Sequence, residues 1–193
     1  DANAAIALGS SDQEFNLVNN LEATAGINIW FEVNGRNESR SGTVYSTLKD
    51  PISNALDPRV QARLAAFKNF GTLSGTLWMT STRELRLILA EAALAAGNTA
   101  EFTTQINTVR AMDGKPAFSG QISNTAMLAY ERQAQLWLMR RRLSDMYRFG
   151  QKDPKWTTNA NYESSFSVVG LLFPITNTER LANPCVADAS ACK

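Results

Sequence analysis

The sequence predicts a mainly α fold: one antiparallel helical hairpin, one long buried helix, and extended loops with a few short strands. Three observations carry this. Residues 82–112 hold two segments of helical apolar periodicity, interrupted only by Gly97-Asn98. Residues 125–149 are apolar on two sides of a helical wheel and contain neither Gly nor Pro. The flanking stretches are richer in Gly, Asn, Ser and Thr, the residues of turns and loops.

The elements follow in order. Asp1 to Leu8 reads as the end of a helix, broken by Gly9-Ser10-Ser11-Asp12. Residues 27–33 (Ile-Asn-Ile-Trp-Phe-Glu-Val) combine strong β-formers with weak alternation, which suits a short strand. Residues 34–42 carry turn chemistry, and Thr43 to Leu48 is expected to be extended. Asp57-Pro58 opens a helix through Phe67, with Asp57 as N-cap and Pro58 at the first helical position. Residues 69–80 read as a Gly- and Thr-rich loop.

Thr82 to Ala96 is a strong helix whose expected inner face is Leu85, Ile88, Leu89, Ala92 and Ala96. Gly97-Asn98 closes it in a left-handed cap. Thr99 caps the next helix, which runs to about Met112 with Phe102, Ile106 and Val109 on one face. Asp113-Gly114-Lys115-Pro116 stops it. The Ala-rich stretch 90–96 lets the two backbones approach closely. The pair resembles one tetratricopeptide unit, which cannot bury both faces alone and expects neighbours. Asn124 is read as the cap of a single helix from Thr125 to Phe149. Met127, Tyr130, Ala134, Trp137 and Leu138 form one stripe; Leu136, Met139, Leu143 and Met146 form another. Gly150 ends it. The organisation is one domain, 1–193: a loop-rich segment 1–80, a helical core 81–150, and closing loops and tail 151–193.

Composition narrows the function. A net charge of +1 over 193 residues gives no electrostatic case for nucleic acid or an anionic membrane surface. No apolar run reaches the roughly 18 residues of a membrane helix. The Asp1 start, without Met or signal peptide, reads as a processed or truncated product. With no His, the Ser-His-Asp and Cys-His catalytic constellations are excluded. Walker and dinucleotide-binding glycine motifs are absent, so no cofactor is expected, and with only two Cys no zinc site is expected either. Cys185 and Cys192 are separated by small residues. In an oxidising compartment a disulfide between them is the favoured reading, worth roughly 2–3 kcal/mol by loop entropy, and it points outside the cytoplasm. The alternative is two free thiols on a frayed tail.

Glu91 reads as a helix-surface carboxylate or a partner for an arginine. Asp145 lies four residues from Arg141 and three from Arg142 and Arg148, so pairing within one helix is favoured over an anion site built on Arg140-Arg141-Arg142. Trp30, Tyr45, Trp78, Trp156 and Tyr162 lie in or near expected loops. They are candidates for stacking on the apolar faces of sugar rings; the plainer alternative is that each packs under its loop. Trp137 reads as core.

Several of these pieces, taken in order over about 130 residues, resemble the SusD/RagB family of outer-membrane nutrient-binding lipoproteins. They are Asp57-Pro58-Arg59; the helix Arg83-Glu84-Leu85-Arg86-Leu87-Ile88-Leu89-Ala90-Glu91-Ala92; Gly97-Asn98 with Ile106-Asn107-Thr108-Val109-Arg110; Glu131-Arg132; and Arg142-Leu143-Ser144-Asp145-Met146-Tyr147-Arg148-Phe149-Gly150. Phe173-Pro174-Ile175 with Glu179 and Asn183-Pro184 completes the set. Arg140-Arg141 stands where the family usually has Gly-His, and Thr176 where it has a second Pro. Family members are about twice this length, so the resemblance covers a C-terminal part. Leu171 to Ile175 is expected to pack back near Trp137.

The resemblance implies a non-catalytic binding protein at the cell surface, with a lipid anchor upstream of Asp1. It would capture glycans or other nutrients and deliver them to a SusC-like TonB-dependent transporter. The implied partners are that transporter, the ligand, and a missing N-terminal helical segment or separate chain. The alternative is a helical-repeat scaffold or assembly subunit that kept the fold without ligand binding; an enzyme acting on glycans ranks third.

Overall fold

In a computed structural model, residues 1–17, 43–69, 77–137, 139–151 and 182–183 are described. They are mainly helical, with short strands, as the sequence predicts. The elements are α1 (Ala2–Leu8), β1 (Glu14–Leu17), α2 (Thr43–Ser46), α3 (Pro58–Asn69), β2 (Leu77–Ser81), α4 (Thr82–Ala95), α5 (Thr99–Met112), α6 (Asn124–Gln135) and α7 (Arg142–Arg148). The chain divides into two units, Asp1–Arg142 and Leu143–Lys193, each described by itself.

The hairpin α4–α5 is the centre of the first unit. Its start is specified locally. Ser81 caps α4 by accepting the Glu84 N–H at 3.2 Å, with the acidic residue at the third helical position favoured there by the helix dipole. Gly97 adopts φ +71°, and the Asn98 N–H reaches the Ala93 carbonyl at 2.8 Å, the expected left-handed stop. The cap of α5 is Asn98 rather than Thr99: its side chain accepts the Glu101 N–H at 3.1 Å. Gly114, at φ +60°, ends α5 where Asp113-Gly114 was expected to.

Phe102, Ile106 and Val109 are fully buried on α5, as their spacing predicts. On α4 the expected face is wrong. The buried line is Glu84, Leu87, Ala90 and Ala93, whereas Ile88 is 44% exposed and Ala92 and Ala96 are exposed. Periodicity points to Leu85, Ile88, Leu89 and Ala92, the side away from the charges, whereas the side that goes inside also carries Arg83, Glu84, Arg86 and Glu91, whose partners are Asp113, Arg141, Gln105 and Arg132. The choice falls to packing: α4 meets α5, α6 and α1, and the small Ala90 and Ala93 let neighbouring elements approach closely. Burying Leu87, Phe102 and Ile106 stabilises the unit by about 1.5–3 kcal/mol each.

The single long helix expected over 125–149 is two helices. Ser123, not Asn124, caps α6 by accepting the Ala126 N–H at 3.2 Å. A turn follows Gln135, and Arg140 sits at φ +61° before α7 begins. Ala134, Gln135, Leu136 and Trp137 are all buried, as are Met127 to Arg132 earlier in α6, and Met139 is buried within the turn itself, which includes the left-handed non-glycine residue Arg140. Trp137 is core, as expected, and Tyr45 lies against it with ring centroids 5.3 Å apart.

Two loop expectations are corrected. Thr43–Ser46 is helical, not extended. Leu77–Ser81 is a strand within the expected 69–80 loop, and it pairs antiparallel with β1. Met79 is the extra residue of a bulge, because Phe15 faces Thr80 and Asn16 faces Trp78. The strand pair brings the N-terminal segment onto the start of α4, where the Thr82 N–H donates to the Gln13 carbonyl at 2.8 Å. In the second unit, Gly150 at φ +61° closes α7, and the Gln151 N–H reaches the Met146 carbonyl at 2.8 Å. The strand expected over 27–33 and the closing segment 171–175 lie outside the described residues.

Candidate functional site

Charged residues lie in register with the apolar stripes of this fold. Arg110 follows Ile106 by four residues on α5, and Glu131 follows Met127 by four on α6, so both point inward with their apolar neighbours. Both are fully buried. They meet the start of α3 and the loop before it in one ion network. Glu131 bridges two arginines: Oε2 accepts from Arg59 Nη1 at 2.5 Å and Oε1 from Arg110 Nη1 at 2.7 Å. Arg59 folds back on Asp57 through Nε at 3.0 Å and Nη2 at 2.7 Å. The same carboxylate caps α3, accepting the Arg59 N–H at 2.9 Å, and takes Lys115 Nζ at 3.0 Å and the Tyr130 hydroxyl.

Asp50 closes the network. Its Oδ1 accepts the Ile52 and Ser53 N–H groups at 2.9 and 3.0 Å. Its Oδ2 lies 3.0 Å from Arg110 Nη2 and 3.1 Å from Lys115 Nζ, close enough for charge pairing although off the hydrogen-bonding direction. Three carboxylates (Asp50, Asp57, Glu131) thus face three cations (Arg59, Arg110, Lys115). A balanced buried network adds little over an apolar core of the same shape, but losing one member leaves a charge stranded.

Burial pushes the Asp50 carboxyl up, yet the Ser53 and Ile52 N–H groups and Lys115 outweigh it and hold the group at about 2. Asp57 is likewise held well below the carboxylate range: burial opposes ionisation, while Arg59, Tyr130 and Lys115 favour it more. The Tyr130 hydroxyl is pushed up by burial and by Asp57. Both acids are depressed relative to unfolded chains, near 3.9. Their stabilisation is therefore complete above that value and disappears as pH falls through their folded values. Thermal melts should be level from pH 5 to 8, where a chain without His has little to titrate, and should drop from about pH 4 towards pH 2. A drop centred near pH 6 contradicts this.

Above this network an open cleft of about 470 Å³ reaches solvent. Arg59 and Arg63, one turn apart on α3, and Arg83 on α4 supply guanidinium groups; Glu14, Asp113 and Gln135 supply acceptors. Arg83 grips Asp12 through two bonds of 2.7 Å and Asp113 Oδ1 at 2.6 Å, and Gln135 Nε2 donates to Asp113 Oδ2 at 2.8 Å. The hydrogen bond from Arg83 comes first in holding Asp12 below its usual range. Arg63 donates to Glu14 at 3.2 Å and to the Trp137 carbonyl at 3.4 Å. These groups form an array of donors and acceptors suited to a polar ligand. Among the described residues no group of three or more acidic, His or Cys side chains is placed to hold a metal ion.

Of the sequence-predicted site residues, Tyr45 and Trp78 fall among the described residues, and neither is among those that line the cleft. Tyr45 is half-buried against Trp137, and Trp78 is paired in β2, its side chain outside the described set. Trp30, Trp156, Tyr162, Cys185 and Cys192 lie outside the described residues. The cleft itself was missed. The available signal was the arginine pair at 59 and 63, spaced by one helical turn, but its partners come from four other places in the chain. Glu91 does face an arginine, Arg132, at 3.8 Å. Asp145 pairs with Arg148 at 3.3 Å as expected, whereas Arg141, outside α7, reaches Glu84 at 2.7 Å.

Among the described residues no helix is long and apolar enough to cross a membrane. No family model, curated protein or solved structure matches the chain.

Proposed function

We propose that this chain is the C-terminal part of a non-catalytic, SusD/RagB-like cell-surface binding protein that captures glycans or other nutrients for a TonB-dependent transporter. One observation supports the reading above others. Three motifs that carry the resemblance, Asp57-Pro58-Arg59, the Arg110 end of the second hairpin helix, and Glu131-Arg132, converge through Glu131 on one buried network. Buried charges are expensive, and a set spread over 75 residues of sequence is retained only with all its partners present. The cleft above presents guanidinium groups beside carboxylate and amide oxygens, an array suited to holding a polar ligand.

Calorimetry against a panel of oligosaccharides, with co-purification from outer membranes, tests this. Saturable binding of a glycan together with recovery of a TonB-dependent barrel is expected. Turnover of a bound glycan by the purified protein contradicts the non-catalytic reading. The scaffold alternative draws on the outer side of α4, where Ile88, Ala92 and Ala96 are exposed. Silence across the panel, with tight association to another protein, favours it.

A further inference from the structure

One wall of the cleft is built differently from the rest. Arg59, Arg63, Arg83 and Gln135 stand on α3, α4 and α6, and Asp113 ends α5. Asp12 and Glu14 instead belong to a strap, residues 10–14, that leads from α1 into β1. Little apolar burial holds this strap. α1 buries none of its residues, Leu8 is 90% exposed, and Ser10, Ser11, Asp12, Glu14 and Phe15 are exposed. Its attachments are polar and centre on the start of α4. Arg83 takes both oxygens of Asp12 at 2.7 Å, a guanidinium fork on a carboxylate. The Thr82 N–H donates to the Gln13 carbonyl at 2.8 Å; at the first helical position it has no acceptor within α4, so water can take the place of Gln13. The Thr82 hydroxyl accepts the Gln13 N–H at 3.3 Å and donates to the Ser10 carbonyl at 3.2 Å. The Asp12 side chain is 44% exposed, so salt screens its pair with Arg83, whereas the pairs of Glu131 with Arg59 and Arg110 beneath are shut away from water.

We propose that residues 10–14 are a gate on the cleft: the Asp12–Arg83 pair latches the strap against the start of α4, and its release moves this wall outward while the helices stay packed. Such a movement is a local opening, well below global unfolding in free energy, because it exposes polar bonds and almost no core. Opening also changes the chemistry of the cleft. Arg83 keeps Asp113 through Nη1 at 2.6 Å and turns Nε and Nη2, now without Asp12, to whatever enters. The use of the gate to admit a ligand rests on the binding-protein reading, but the movement itself is tested without one.

The test is amide hydrogen exchange of the full chain, read by NMR at Thr82, whose N–H reports the docked strap, with Ile106 and Val109 in the buried side of α5 as references. In the wild type Thr82 should exchange faster than both references. Asp12→Asn keeps the size of the side chain and removes its charge; it should speed Thr82 by about ten-fold and leave the references unchanged. Raising sodium chloride from about 0.05 to 0.5 M should speed Thr82 several-fold in the wild type and much less in Asp12→Asn, where the latch is already gone. Unchanged Thr82 exchange in Asp12→Asn overturns the proposal, and so does a wild type indifferent to salt. Equal acceleration of Thr82 and the references also overturns it, since the strap would then open only with the whole unit. No ligand enters the experiment, so a failed gate leaves the binding-protein reading intact.

Discussion

Glu131→Ala should lower the unfolding free energy by about 3–5 kcal/mol, the largest effect expected of any charge removal among the described residues. The side chain is fully buried and is the shared anion of Arg59 and Arg110. Truncation leaves two guanidinium groups facing each other across a cavity that the remaining carboxylates, Asp50 and Asp57, already half serve. Glu131→Gln isolates the charge from the shape: it keeps the volume and one acceptor but leaves the network a net positive charge. It should fall between wild type and alanine. Urea unfolding measures all three. A loss below about 1 kcal/mol for Glu131→Ala would mean that water reaches the network and screens it, contrary to its full burial.

Phe102→Ala should cost a similar amount, about 3–5 kcal/mol, by an unrelated route. Phe102 is fully buried on α5 and meets Phe118 edge-on, with ring centroids 6.1 Å apart. Phe118 sits in the loop after α5, held by Asn107, whose Oδ1 accepts the Phe118 N–H at 2.7 Å and whose Nδ2 donates to its carbonyl at 3.0 Å. That clasp limits how far the loop can collapse into the space left behind, so the cavity term should be retained. The two variants also differ in their response to acid. Phe102→Ala should keep the wild-type fall below about pH 4, since Asp50 and Asp57 keep their partners. In Glu131→Ala the remaining carboxylates carry more of the compensation for Arg59 and Arg110, so its fall with acid should be steeper.

The parts of the fold legible from sequence are those set by neighbours along the chain. Asp57-Pro58, Gly97-Asn98 and Asp113-Gly114 each act within one turn of backbone, and all three mark element ends in the structure. The apolar stripe of α5 was equally legible, because polar residues occupy its other sides. On α4 the contrast points the other way: the side that went inside carries Arg83, Glu84, Arg86 and Glu91, and their partners Asp113, Arg141, Gln105 and Arg132 come from distant segments. The long helix was misread because apolar residues continue at helical spacing through 136–146 with no Gly or Pro, and nothing local marks the turn that follows Gln135.

The candidate site was less legible still. Asp57, Arg59, Arg110 and Glu131 stood out as pieces of a family resemblance, but not as one network, since their bonds span up to 72 residues of sequence. The cleft draws on β1, α3, α4, α6 and the end of α5, and a single sequence gives no measure of those distances. The aromatic candidates were chosen by residue type and expected exposure; Tyr45 shows the weakness of that rule, since its ring rests on Trp137.

By itself, then, the sequence determined a mainly α chain, where its hairpin turns, and the absence of histidine chemistry, because caps, turns and composition act locally or globally without reference to partners. Only the tertiary structure decided which side of α4 is inside, where the long helix breaks, and which charges meet. Those outcomes depend on how well distant surfaces fill space together and on whether each buried charge finds an opposite one, and both are properties of the packed chain rather than of any segment of it.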